Sequence, residues 1–159
     1  MGNLQKIAIF PIVLLVLVIA VSGCNSTTDP INKTSSTPGV FENQWVKFNY
    51  PTTLTAVDKS TSDMIDVLLY EGSFDNTKVP LGKINTVSQV RLYEAQNVVP
   101  SYVETIIAGK KAIRGKSSTS TGAYVVLSNN VGMWIDFEPT AQATADQVMD
   151  SLVIKKVPN

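Results

Sequence analysis

The sequence predicts an α+β domain, in which an antiparallel sheet is packed by few helices. Short runs rich in β-branched and aromatic residues, separated by turn residues, fill most of the chain after Phe41 and are typical of strands. Two such runs flank Asn129-Asn130, a pair that favours a tight β-hairpin. Clear helical spacing occurs once, after Pro139. A chain of 159 residues favours one domain, so these elements should share one core.

The first half of the domain predicts strands and one loop. Residues 45–50 alternate and end at Pro51, which cannot donate to a central ladder. Residues 64–70 form a short apolar run between polar residues, which indicates a buried strand. Residues 74–80 should be a loop. Residues 84–93 fit both strand and helix spacing, and we assign them to a strand.

The second half predicts a central hairpin. Residues 102–107 read as a strand that turns at Gly109-Lys110 into 112–114. A two-residue turn at Asn129-Asn130 would then put two sets of side chains on opposite faces, Tyr124, Val126, Met133, Ile135 and Phe137 against Ala123, Val125, Leu127 and Trp134. Both sets are largely apolar, so this hairpin should be central and covered on both sides.

One helix and one closing strand complete the predicted domain. Thr144 and Gln147 match a capping box at the start of the helix. Helical spacing is kept by a set of apolar residues, Ala141, Ala145, Val148, Met149 and Leu152. Residues 152–154 then read as a short strand.

The N-terminal segment predicts export and lipid attachment. Residues 7–21 are apolar, follow Lys6 and are interrupted by Pro11, which makes them short for a membrane span of about 20 residues. The next residues, Val-Ser-Gly-Cys ending at Cys24, match the lipobox of exported lipoproteins. We therefore expect residues 1–23 to be a signal peptide and Cys24 to carry a lipid on the extracytoplasmic face of the cell membrane. An uncleaved membrane anchor is the alternative.

Residues 24–40 predict a disordered tether between the lipid and the domain at 41–157. The segment is rich in Asn, Ser, Thr and Pro and has too few apolar residues to offset the entropy of ordering. Asn25 and Asn32 begin glycosylation acceptor triplets, whose use would indicate an archaeal source.

Composition restricts the chemistry of the domain. The chain has 13 basic and 13 acidic residues, without the basic excess that nucleic-acid binding requires. It has no histidine, which removes the usual general base and the commonest zinc ligand. Its single cysteine cannot form an internal disulfide. The absence of histidine leads us to predict a protein that is not an enzyme and holds no cofactor or metal, and we expect a monomer.

Several landmarks along the chain resemble one known family. They are WVKFNYP at 45–51, IAGKKA at 107–112, MWIDF at 133–137 and MDSLVI at 149–154. In this order they resemble the PsbP-related domains of short lipoproteins, especially from methanogenic archaea. The resemblance implies the PsbP/Mog-like fold, an antiparallel sheet flanked by helices in an α/β/α sandwich. It implies no functional residue here, because metal sites in PsbP relatives depend on histidine.

Two groups of charged residues are candidate sites. Asp136 and Glu138 lie two apart on a predicted strand, which would place both carboxylates on one side for glycoside hydrolysis or cation binding. A solvated strand end is the simpler interpretation. A basic cluster, Lys110, Lys111, Arg114 and Lys116, would contact an anionic surface, or else form a solvated hairpin.

The leading functional prediction is a membrane-anchored lipoprotein with a non-catalytic binding domain for another envelope protein or a glycan. One alternative is a carboxylate-dependent envelope glycan hydrolase that uses Asp136 and Glu138. The other is a structural spacer of the envelope.

Overall fold

The computed structural model describes residues 39–88 and 101–158. The strands found there are β1 Val40–Glu42, β2 Val46–Asn49, β3 Leu54–Asp58, β4 Asp66–Glu71, β5 Gly82–Ser88, β6 Val103–Ile107, β7 Lys110–Lys116, β8 Thr121–Val126, β9 Val131–Phe137 and β10 Val153–Ile154. A 3₁₀ turn at Pro139–Ala141 leads into the helix α1, Gln142–Ser151.

These strands form two antiparallel sheets. The larger sheet has seven strands in the order β3-β4-β5-β9-β8-β7-β6, and the smaller has three in the order β1-β2-β10. Helix α1 contacts β2 of the small sheet and β8 and β9 of the large one. The face of the large sheet that meets α1 and the small sheet is called the inner face below, and the opposite face is the outer face.

The predicted α+β class is confirmed in broad terms, since antiparallel sheet is the main secondary structure of the described chain and α1 is short. The strand predictions at 45–50, 64–70 and 102–107 are confirmed by β2, β4 and β6, and the loop at 74–80 is confirmed. Strand β5 confirms the strand assignment as far as Ser88, and the remainder of 84–93 lies outside the described residues. A flanking-helix sandwich is not seen within 39–88 and 101–158.

The core lies between the inner face and the layer formed by α1 and the small sheet. Phe41 on β1 stands opposite Phe48 on β2, and their stacked rings are 5.0 Å apart. Trp45, just before β2, is 1% exposed, and its indole nitrogen donates to the carbonyl of Thr61 at 3.1 Å. Burying a large apolar side chain of this kind stabilises the fold by about 1.5–3 kcal/mol. These rings hold the small sheet onto the large one.

The β8–β9 hairpin is central, as predicted, because β9 lies between β5 and β8. Its two faces are both buried, with Ala123 1% and Tyr124 0% exposed. The predicted assignment of side chains to faces is wrong, however. Ala123 pairs with Ile135 on the inner face, whereas Tyr124 pairs with Trp134 on the outer face.

A one-residue difference in the loop explains the wrong face assignment. The carbonyl of Val131 accepts the N–H groups of both Leu127 and Ser128, each at 3.0 Å. The connection is therefore longer than a two-residue turn, and pairing shifts by one residue. Side chains alternate between the two faces along a strand. A shift of one residue therefore places each residue of β8 on the same face as a different set of β9 residues. Phe137 is buried as expected, but beside Ala123 and not beside Tyr124.

The predicted capping box is also wrong. Helix α1 begins at Gln142, so Thr144 lies inside its first turn, and Ala141 at the N-cap makes no side-chain hydrogen bond. Pro139, whose fixed backbone angle suits a helix start, begins a 3₁₀ turn that brings the chain into the helix early. The predicted buried spacing holds for Ala145, Val148 and Met149, and β10 confirms the closing strand.

Candidate functional site

Strand β6 forms one edge of the large sheet. It pairs with β7 on one side, and no strand of the described chain pairs with its other side. The turn between them is Ala108-Gly109, with positive φ angles of 50° and 72°, and Ile107 stands opposite Lys110. These angles are those of the tight type I′ turn, which requires both central residues in the left-handed region. The hairpin register is therefore fixed by this turn.

The register determines which backbone groups face the open side. The residues that close a two-residue hairpin loop exchange hydrogen bonds, and such pairs then alternate with non-bonded pairs along the ladder. Thr105 and Ala112 therefore form a bonded pair, whereas Ile106 and Glu104 are in non-bonded pairs. The N–H and C=O groups of Glu104 and Ile106 point away from β7, where an additional strand can bind them.

Two aliphatic side chains of β6 are exposed, one on each face. Val103, on the inner-face side, is 68% exposed, and Ile106, on the outer-face side, is 65% exposed. Natural edge strands are usually protected from pairing by lysine, proline or a bulge. Between Val103 and Ile107 the only charged residue is Glu104, and there is no proline. We call this strand, with its outward backbone groups, the β6 edge.

A groove of about 400 Å³ lies beside the β6 edge on the outer face. Its apolar lining includes Ile106, Ile113 and Val126, and Lys111 and Glu104 also border it. Ile113 is only 2% exposed, so the accessible apolar surface of the groove comes mainly from Ile106 and Val126. A groove of this kind can accept apolar side chains from a strand bound at the β6 edge.

The predicted basic cluster is divided by the sheet. Alternation along β7 places Lys110, Arg114 and Lys116 on the inner-face side and Lys111 on the outer-face side. Arg114 donates to Asp146 of α1 at 2.8 Å and to Asp150 at 3.0 Å. The hydrogen bond to Asp146 contributes most to raising the pKa of Arg114. The four residues therefore do not form one patch, and Arg114 is already paired.

The three lysines of this cluster differ from Arg114, because they make no ion pair with any residue that the structure describes. Lys110 and Lys116 leave the inner-face side of the β6–β7 hairpin positively charged. On the outer-face side, Lys111 is a lateral partner of Ile106 and diagonal to Glu104, whose opposite charge offsets it.

Asp136 and Glu138 do not lie together as predicted. Strand β9 ends at Phe137, and Glu138 starts the 3₁₀ turn with its N–H bonded to the carbonyl of Leu81 at 3.0 Å. Glu138 is exposed, in agreement with a solvated strand end, and it lines a groove with Glu71 and Lys78. The strand therefore does not carry both carboxylates on one side.

Asp136 is a partly buried carboxylate on the outer face, and the prediction that it is solvated is wrong. It stands between Lys83 on β5 and Gly122 on β8. Its Oδ1 atom is buried and has no hydrogen-bond partner in the described chain, and Lys83 instead contacts Asp66 at 3.4 Å. Burial raises the pKa of Asp136, and the nearby polar groups of Ser120 and Trp134 offset only part of this effect.

Tyr102 packs near this carboxylate. A Cβ atom at Gly115 would lie 2.7 Å from a ring carbon of Tyr102, so glycine is needed there to admit the ring. Burial raises the pKa of Tyr102, hydrogen bonding by Ser120 lowers it, and the charge of Asp136 raises it. Burial therefore disfavours the ionised form of the Asp136 carboxylate in this cluster.

The remaining predictions from the sequence concern lipid attachment, glycosylation, metal binding and membrane-spanning segments. Cys24, Asn25 and Asn32 lie outside the described residues. Across 39–88 and 101–158, no group of three or more metal-ligating side chains occurs. No helix in those ranges is long and apolar enough to cross a membrane. Sequence reasoning did not select Val103 and Ile106, because the alternation of 102–107 gives no sign of which strand lies at an edge.

Comparisons with known proteins find a structural similarity but no matching family. No protein-family profile matches the chain, and no curated protein matches it. A crystal structure from Bacteroides thetaiotaomicron VPI-5482 is similar with a TM-score of 0.42 and 16% sequence identity, over 79% of this chain and 49% of that one. The chain thus spans about half the length of this structural neighbour. The resemblance to PsbP-related domains stays a prediction.

Proposed function

We propose that this protein is a lipoprotein of the extracytoplasmic membrane face whose domain binds another envelope component without catalysis. The observation that carries the proposal is the β6 edge, with Val103 and Ile106 both about two-thirds exposed. An exposed edge strand with outward backbone groups is a template for binding an extended segment. The proposal includes a PsbP-related fold, supported by the antiparallel sheet and by α1 packed on it.

The location in this proposal comes from the N-terminal segment. A lipid at Cys24, followed by a polar tether, would hold the domain close to the membrane surface. A disordered tether of about fifteen residues would span on the order of 20 Å on average and would let the domain meet neighbouring envelope proteins. A lipid-anchored binding module needs no enclosed pocket, and a strand edge serves it well.

The geometry supports the alternatives less well. Glycoside hydrolysis requires two carboxyl groups that flank the same bond. Glu138 lines a groove with Glu71 and Lys78, whereas Asp136 has an oxygen buried on the outer face of the sheet. A structural spacer gives no reason for the exposure of Val103 and Ile106. Binding through the β6 edge accounts for that exposure.

An affinity capture from native membranes tests the proposed function. The full-length protein and its Ile106→Lys variant would serve as bait, because lysine on an edge strand opposes pairing. Val79→Lys is the matched control, since Val79 is 81% exposed and lies in the β4–β5 loop. We expect the wild type and Val79→Lys to recover the same partner and Ile106→Lys to lose it. Equal recovery by all three proteins, or recovery by none, would contradict the proposal.

A further inference from the structure

We infer that the partner segment is an extended strand that adds to the β6 edge and carries alternating acidic and apolar side chains. This inference rests on the proposed function and names the chemistry of its partner. It follows from the direction of the free backbone groups and from the different character of the two sides of the β6–β7 hairpin.

The backbone determines which residues of a bound strand make hydrogen bonds. Glu104 and Ile106 direct their N–H and C=O groups outward, as shown above from the turn at Ala108-Gly109. In an antiparallel addition, the residues opposite them exchange hydrogen bonds with them and share their face of the sheet. The hydrogen-bonding residues of the partner therefore point to the outer face, and the intervening ones point to the inner-face side.

The outer-face side favours apolar partners. There the groove lined by Ile106, Ile113 and Val126 adjoins the β6 edge. The one lysine on this side, Lys111, is diagonal to Glu104, so the local charge is balanced. Apolar side chains placed here remove Ile106 from water without leaving a charge unpaired.

The inner-face side favours acidic partners. Val103 is exposed there, and Lys110 and Lys116 make no ion pair with a described residue. Arg114 is shared by Asp146 and Asp150, so the three cations on this side exceed its two acids. Lysine side chains are long and flexible, so their ammonium groups can reach acidic groups on a strand one position beyond β6. Lys110 lies opposite Ile107 and Lys116 lies two residues beyond Arg114, which is opposite Val103, so acidic side chains on the inner-face side near the two ends of β6 would meet these lysines.

A second copy of this chain fits the β6 edge poorly. Pairing β6 with itself about Thr105 would place Glu104 opposite Ile106 of the other copy. The inner-face sides of both copies would then lie on the same side of the joined sheet. Lys110 and Lys116 of one copy would approach the same lysines of the other copy. Like charges brought close destabilise an interface. The lysines beside the β6 edge therefore favour pairing with a different chain that carries acidic residues.

Fluorescence anisotropy with labelled octapeptides tests this inference on the full chain in neutral detergent. The probe is an octapeptide of alternating glutamate and valine, and its control has lysine in place of glutamate. We expect the acidic peptide to bind at least tenfold more tightly at low salt, and the difference to shrink at high salt because the charges are screened. Lys110→Gln with Lys116→Gln should reduce this preference. Equal binding of both peptides would overturn the inference.

Backbone methylation separates strand addition from simple charge attraction. The valine residues of the bound peptide would exchange backbone hydrogen bonds with the outward N–H and C=O groups of Glu104 and Ile106. N-methylation of the valines removes their N–H donors and should abolish binding. N-methylation of the glutamates, whose N–H groups point away from β6, should leave most of it. If both methylated peptides bind equally, strand addition is wrong. Binding of the full chain to anionic vesicles that the peptide does not displace would instead assign the lysines to a lipid surface.

The two proposals fail in different ways. If membrane capture depends on Ile106 but the acidic peptide neither binds nor competes, only the partner chemistry is wrong. If capture does not depend on Ile106, the proposed function fails as well. A concentration-dependent dimer in analytical ultracentrifugation that Ile106→Lys disrupts would assign the edge to a second copy and overturn the inference.

Discussion

Arg114 on the inner-face side of β7 is bonded to Asp146 on α1, with 2.8 Å between its Nη2 and Oδ1 of the aspartate. A second bond joins Arg114 to Asp150 at 3.0 Å, one helical turn further on. Together they fix α1 against the edge half of the large sheet. They also pair one cation of the basic cluster, so the unpaired positive charge beside the β6 edge comes from lysines.

The first prediction concerns this contact. Arg114→Met should lower the free energy of unfolding by about 1 kcal/mol at low salt, because the pairs are partly exposed and only one arginine serves both. Urea unfolding at low and high salt measures the effect, which should shrink as salt rises. Lys110→Met, which breaks no described ion pair, is the control and should stay within about 0.5 kcal/mol of the wild type. An equal loss in both variants would contradict the assignment.

A second prediction concerns the inner core. Phe137 is 2% exposed and packs against Gly82, where a Cβ atom would lie 2.2 Å from the ring. Phe137→Ala should therefore cost about 3–5 kcal/mol in urea unfolding. Val79→Ala, at an exposed position, should change stability by less than about 0.5 kcal/mol. A small loss at Phe137 would mean that this ring is not part of the core.

A third prediction concerns the buried oxygen of Asp136. Burial raises its pKa in the folded state above the unfolded value, so the folded protein binds the proton more tightly. The contribution of this group to stability is full below the unfolded pKa and is lost as pH rises through the folded pKa. Asp136→Asn should therefore be more stable than the wild type at neutral pH, and the difference should diminish as pH falls.

Urea unfolding of the wild type and Asp136→Asn between pH 3 and pH 8 checks this, within the range where carboxyl groups titrate. Glu138→Gln at neutral pH is the control for loss of an exposed carboxylate and should stay within about 0.5 kcal/mol. If Asp136→Asn is destabilised equally at every pH, the carboxylate makes a stabilising contact and is not a desolvated charge.

Periodicity predicted most elements of this domain but not how they are arranged. The segments that form β2, β4, β6 and α1 could be predicted because the pattern of apolar residues within each segment is typical of a strand or a helix. The face of Tyr124 could not be predicted, because one additional loop residue reverses it. The partners of Arg114 are 32 and 36 residues away along the chain, and the edge position of β6 depends on a strand order set by the whole sheet. Such long-range relationships leave no local pattern.

A fourth prediction concerns the membrane anchor. If a lipid at Cys24 provides the attachment, Cys24→Ser should release the protein from membranes, because residues 7–21 are short for a span. Fractionation and N-terminal mass measurement check this, with Ser26→Ala as a control that leaves the lipobox unchanged. A Cys24→Ser protein that stays in membranes and keeps the residues before position 24 would support an uncleaved anchor.

The most direct test of the central claim is residue-resolved amide hydrogen exchange along β6, in the free full-length chain and with the membrane partner bound. In the free chain, the amides of Glu104 and Ile106 should exchange quickly, because they point to the open edge, whereas that of Thr105 should be protected by β7. The bound partner should slow exchange at Glu104 and Ile106 and leave Thr105 unchanged. Strong protection of Glu104 and Ile106 already in the free chain, or no change on binding, would contradict the account.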